Sequence, residues 1–86
     1  MIQPWFRVRT LTALGEALAG ARQSAGLNQT KAAELTNTSR PTISRAERGH
    51  PVSTDTVISL LAGTGYEMLV VPRGSQVTVT TPDSGP

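Results

Sequence analysis

With 86 residues, one histidine, no cysteine and a net charge of +2, the chain is long enough for one small domain and excludes a disulfide staple or a thiolate metal site. Domains of this size bury only about 60% of the surface their unfolded chain exposes, and the lone His50 cannot form a zinc constellation, which leaves oligomerisation as the available supplement to the core. No run of about 18 apolar residues and no charged-then-apolar leader occurs, so the expectation is a soluble cytoplasmic protein with no membrane partner and no cofactor.

The residues from Met1 to Arg9 read as a short N-terminal arm (1–9), with Trp5, Phe6 and Val8 alternating roughly with Arg7 and Arg9. Trp5 and Phe6 either cap the edge of the core or face a partner subunit, since aromatics are favoured interface anchors. Thr10 or Thr12 then serves as N-cap of a first helix, with Leu11, Leu14, Leu18, Ala21 and Ala25 on one face and Gly26 as its left-handed stop. Asn28 caps a second helix, Gln29 to Thr36. Ala32 and Ala33 keep that helix slim for a close crossing, and Leu35 is expected to be its one large apolar contact. Asn37 falls where the turn needs a left-handed residue, which Asn tolerates better than most.

Ser39 caps a third helix with Pro41 in its first turn, where a missing N–H costs nothing. Ile43 and Ala46 point to the core and Gly49 closes the helix. Arg40, Pro41, Ser44, Arg45 and Arg48 share the outer face. From Ser39 to Arg48 there are three arginines against one acid, Glu47, so the basic excess is local to this helix. Two short helices around a tight turn, the second opening on small polar and basic residues, form the layout of a helix-turn-helix whose second helix enters a DNA major groove. The bland alternative is a solvated charged face. Against it, small groups at Pro41 and Ser44 permit close approach, and no acid sits four residues before Arg45 or Arg48.

Ser53 caps a fourth helix to about Thr64, with Asp55 favouring the positive end of its dipole. Val57, Ile58, Leu60 and Leu61 make it the most apolar helix, covering more than one face. Gly63 and Gly65 end it, and Tyr66 to Val71 reads as a strand by β-branched content, stopped by Pro72. That strand (66–72) needs a partner, which is the arm, Gln76 to Thr80, or its own copy in a second subunit. The copy is favoured, with Tyr66, Met68, Leu69, Val70 and Val71 as the dimerisation residues. Residues 73–86 read as a flexible tail. No histidine or cysteine is spaced to activate a Ser or Thr, and no paired carboxylates or phosphate-cradling loop occurs, so catalysis is not expected.

At Leu27-Asn28-Gln29, Ser39-Arg40-Pro41-Thr42-Ile43-Ser44-Arg45 and Glu47-Arg48-Gly49 the chain resembles the Cro/repressor (Xre-like) helix-turn-helix family, over roughly Leu11 to Gly65. The resemblance implies a mostly α fold, a four- to five-helix DNA-binding domain (10–65) followed by one β-strand that pairs across a homodimer. Carried over by position, Arg40, Pro41 and Ser44 touch base edges, with Arg45 a further candidate. Gln29 and Arg48 touch phosphate, Ser39 stands between the two roles, and Thr42 completes the DNA-binding set. Arg22 and Glu47 match a pair that ties the first helix to the third. Ala32, Asn37 and Thr38 depart from the family's usual residues.

The strand, the Val8 to Thr10 entry and the Val-Ser-Thr-Asp-Thr-Val start of the fourth helix resemble a narrower group, the HipB-like antitoxins. That resemblance implies a repressor of its own operon, acting on a palindromic double-stranded operator and binding a HipA-like serine/threonine-kinase toxin. The competing expectations are a stand-alone Xre-like regulator and a protein-interaction module that has lost DNA binding.

Overall fold

The computed structural model describes residues 4–82; the ends of the arm (1–3) and of the tail (83–86) lie outside the described residues. Four helices follow in order, α1 (Leu11–Ser24), α2 (Gln29–Thr36), α3 (Arg40–Glu47) and α4 (Thr54–Gly63). Each starts at a side-chain cap that occupies an otherwise free backbone donor: Thr10 accepts from the Ala13 amide, Asn28 from Lys31, Ser39 from Thr42 and Ser53 from Thr56. The stops are equally local. Gly26 (φ +73°) and Gly65 (φ +80°) follow α1 and α4, and Asn37 (φ 52°) turns the chain between α2 and α3.

Leu18, Ala32, Ala33, Ile43, Ala46, Val57 and Leu60 form the core, flanked by Leu14, Leu27, Val52 and Leu61. Five of the nine buried apolar residues are alanines, so the helices must approach closely rather than be spaced by large side chains. Glycines mark two of the crossings. A Cβ on Gly15 of α1 would lie 2.6 Å from the Glu47 carbonyl oxygen, 2.7 Å from that of Ala46 and 2.8 Å from the Gly49 nitrogen, all backbone atoms at the end of α3. A Cβ on Gly63 would meet the Thr36 methyl, where α4 crosses the end of α2. Thr36 and Thr64 can be placed there because each donates its hydroxyl to the carbonyl four residues back, 2.7 Å to Ala32 and 2.8 Å to Leu60.

The four helices fall within the expected four to five, and Gly63, the last residue of α4, both ends that helix and packs against Thr36. Several other expectations change. Leu35 is 58% exposed, so α2 is held by Ala32 and Ala33. Leu11 and Ala25, at the two ends of α1, are exposed, while Gly15 and Ala17 are buried in the middle. No strand forms among the described residues, 66–72 included. A strand exists only as part of a ladder, and neither the arm nor residues 76–80 exchange backbone hydrogen bonds with this segment. Tyr66, Met68, Leu69, Val70 and Val71 therefore form no dimerisation strand within the single chain.

The arm is held by side chains instead. Phe6 lies on Gly20, where a Cβ would overlap its ring, and stacks obliquely with Tyr66 at 6.0 Å. The Tyr66 hydroxyl donates to the Pro4 carbonyl at 2.7 Å, and Arg7 donates to the Ser75 carbonyl at 3.3 Å. Gly20 follows Gly15 by five residues, which at 3.6 residues per turn places the arm about 140° around α1 from the α3 contact. The arm, residues 66–73 and residues 77–82 surround an open concavity of about 890 Å³.

Candidate nucleic-acid interface

Only Ile43 and Ala46 of α3 are buried, and Ile43, 1% exposed, fixes the helix's rotation about its axis. That rotation decides what faces outward: Arg40, Pro41 and Arg45, with Arg48 just beyond the helix, are exposed, while Thr42 and Ser44 are half-buried beside them. Among the described residues none of the three arginines has an ion-pair partner.

The one acid of this stretch is committed elsewhere. Glu47 accepts from Arg22 Nε at 2.6 Å through Oε2 and from Arg22 Nη2 at 2.9 Å through Oε1, a bidentate pair that couples α1 to α3. Arg22 also donates to the Leu27 carbonyl at 2.9 Å, so the guanidinium spans three segments. The side chains retain only 13% and 10% of their exposure. The guanidinium's pKa is raised, chiefly by its hydrogen bonds to Glu47; burial opposes this, and the carboxylate's charge adds the smallest contribution, again upward. A raised arginine pKa means that the guanidinium keeps its charge at every pH below the ordinary arginine value and loses its proton only in strong alkali. With Glu47 neutralised by Arg22, the outward charge of the Ser39 to Arg48 stretch is the full three arginines, more than the surplus counted in the sequence.

Gln29 joins this network, its Nε2 donating to Glu47 Oε1 at 3.0 Å. Its side chain is thereby fixed against α3, and what α2 presents at its first turn is the backbone N–H of a helix N-terminus. Nothing in the spacing of Gln29 and Glu47, 18 residues apart, signals this contact. The Ser39 and Thr42 hydroxyls lie 2.7 Å apart, with Ser39 also accepting the Thr42 amide, so both serve the cap of α3. The dimerisation set lies elsewhere: Leu69 is 74% and Val70 94% exposed on the segment after α4.

A four-helix unit with an exposed basic helix braced by a part-buried ion pair is a helix-turn-helix domain of DNA-binding regulators. Residues 13–67, more than half of the chain, match the model of the helix-turn-helix domain family, and the protein belongs to that family. Among solved structures it is similar to the clp gene regulator ClgR from C. glutamicum, with 32% identity, a TM-score of 0.61, and coverage of 65% of this chain and 73% of that one. The restriction-modification controller protein C.AhdI from Aeromonas hydrophila matches at 29% identity and TM-score 0.62, over 66% and 88% of the two chains. HipB in complex with the O4 20mer shares the fold, at TM-score 0.72 over 80% of this chain and 99% of that one, with 21% identity. No curated protein matches the sequence. The family and these neighbours are DNA-binding regulators rather than enzymes. No helix among the described residues is long and apolar enough to cross a membrane.

Proposed function

We propose that the protein is a sequence-specific DNA-binding transcriptional repressor that acts as a homodimer on a palindromic operator. The observation that carries this is the outward face of α3 and the residue after it, three arginines with Glu47, the one acid of the Ser39 to Arg48 stretch, held by Arg22. Arg40, in the first turn of α3, reads a guanine through O6 and N7, and the Pro41 ring packs on a thymine methyl. Ser44 and Arg45 extend that reading edge one turn further. Arg48 and the N-terminal turn of α2 grip phosphates, with Gln29, Ser39 and Thr42 holding those donors in place. The two α3 helices of a dimer enter successive major grooves about one helical turn apart.

As its biological role we infer an antitoxin that represses its own operon and holds a HipA-like serine/threonine-kinase toxin inactive. The fold shared with HipB over nearly the whole of that chain supports this, and a HipA–HipB complex with its DNA is among the structural neighbours. A stand-alone regulator is the second reading, favoured by the higher identity to ClgR.

The test is a mobility shift on the DNA upstream of the gene, with Arg40→Ala beside wild type. Tight wild-type binding that Arg40→Ala weakens by about ten- to a hundredfold is expected. Binding no better than to random DNA removes the repressor reading. Co-expression with a kinase encoded beside the gene separates the two roles: a stable complex supports the antitoxin, and its absence leaves the stand-alone regulator.

A further inference from the structure

The concavity beside the arm carries a pattern of charge that the arginine face of α3 does not account for. Its most buried lining belongs to the core: Ala17 of α1 is 5% exposed, and Leu14 and Leu61 are half-buried against the core cluster. Phe6 on Gly20, the Tyr66 hydroxyl on the Pro4 carbonyl and Arg7 on the Ser75 carbonyl tie the remaining walls to α1 and to one another. The resulting volume of about 890 Å³ lies in the range of about 300–1,000 Å³ that small-molecule sites span. Three guanidiniums, Arg7, Arg9 and Arg73, share this lining with one carboxylate, Glu67. Among the described residues neither Arg9 nor Arg73 has an ion-pair partner, and Arg7 is steadied 5.9 Å from the centroid of the Trp5 ring.

A purely apolar ligand leaves this positive surplus unmatched, and a small hydrophilic anion leaves the apolar lining wet. A molecule that is anionic at one end and hydrocarbon along the rest matches both. A cleft lined by one sign of charge concentrates the opposite sign, and its apolar lining gains by burying a tail. We propose that the concavity is a binding site for a single-tailed anionic amphiphile, a free alkyl carboxylate of the fatty-acid class. The tail lies against Leu14, Ala17 and Leu61, and the carboxylate accepts from Arg9 and Arg73. The site is about 140° around α1 from the α3 contact, so it stands whether or not α3 reads DNA.

Trp5, the one tryptophan of the chain, lines the concavity and is 45% exposed, so its fluorescence reports the ligand. Titrating the full chain with dodecanoate below its micelle concentration should shift the emission to the blue and saturate, with helix content by circular dichroism unchanged. Dodecyltrimethylammonium, with the same tail and the opposite charge, should bind at least about tenfold more weakly. Removing two methylenes, as in decanoate, should weaken binding about tenfold. Arg9→Gln with Arg73→Gln should weaken it about three- to tenfold, and Lys31→Gln on α2 should not. No saturable shift, equal binding of the cationic analogue, indifference to tail length, an unchanged double variant, or a shift only as the helices melt each overturns the proposal. So does a shift that disappears as protein concentration rises into a self-associated range, which gives the concavity to a second copy. Vesicles of phosphatidylglycerol should leave Trp5 unmoved; a shift with vesicles and none with dodecanoate makes this a membrane face instead.

Discussion

Replacing Glu47 by alanine removes three hydrogen bonds at once, two from Arg22 and one from Gln29. The guanidinium is left with the Leu27 carbonyl as its only protein acceptor and stays in a site where it keeps 13% of its exposure. Removing one partner of a fully buried ion pair costs about 3–5 kcal/mol. Here the remaining carbonyl and the residual contact with water reduce that, to about 2–3 kcal/mol. Arg22→Met, which keeps the length of the side chain, should cost less than Glu47→Ala, about 1–2 kcal/mol, because the carboxylate left behind reaches water more easily. The double variant should be no worse than Glu47→Ala alone, giving a coupling of about 1–3 kcal/mol in a double-mutant cycle measured by urea denaturation. If the two single costs simply add, the pair is an ornament of the surface, and the bracing of α3 by α1 has to be attributed to the Gly15 crossing alone.

Gly15→Ala should destabilise by about 2–3 kcal/mol or prevent folding, because its Cβ meets only backbone of α3, whereas Gly26→Ala, with open space around it, should cost about 1–2 kcal/mol from its positive φ alone; thermal melts of the two variants check the contrast. Asn28→Ala should lose about 1 kcal/mol with the α2 cap and weaken operator binding further by loosening the N-terminal turn that grips phosphate, measured as denaturation midpoint and mobility shift on the same sample. Arg48→Ala should weaken binding to all sequences alike and reduce the slope of log K against log salt by about 0.9, while Arg40→Ala should change the preferred base; titrations at several salt concentrations on operator and random DNA distinguish them.

What the sequence made legible is what depends on neighbours in the chain. The four caps, the left-handed Asn37 and the glycine stops are consequences of one residue's chemistry within a turn or two, and each lies where the sequence puts it. The inward pair of α3, Ile43 and Ala46, follows from spacing alone. What was not legible is set by distance in space. Leu35 looked like core because it is large and apolar, yet the alanines beside it bring α4 so close that the larger side chain is left outside. Gly15 and Gly20 carry no turn signal and Gly63 reads only as a helix end, and the packing partners alone reveal why a side chain is excluded at each. The Gln29–Glu47 contact depends on the angle between α2 and α3, which no local pattern encodes. The β-branched run after α4 is a strand by composition, but a strand also needs a neighbour, and the single chain supplies none.

The two surfaces that matter lie on different sides of α1, the arginine face beyond its α3 contact and the arm with residues 66–73 about 140° around it. Substitutions at Leu69 or Val70 should therefore leave the grip of a single domain on a half-site unchanged. Their effect enters through linkage: once one domain of a dimer is bound, the second meets its half-site at an effective concentration in the millimolar range, so losing the link should cost about 10²- to 10⁴-fold on the full palindrome and almost nothing on an isolated half-site. Val70→Glu, which puts a charge on a side chain 94% exposed in the single chain, makes the comparison sharp. Equal weakening on half-site and palindrome would mean that residues 66–73 support the reading helix directly, and the separation of gripping from pairing would be wrong.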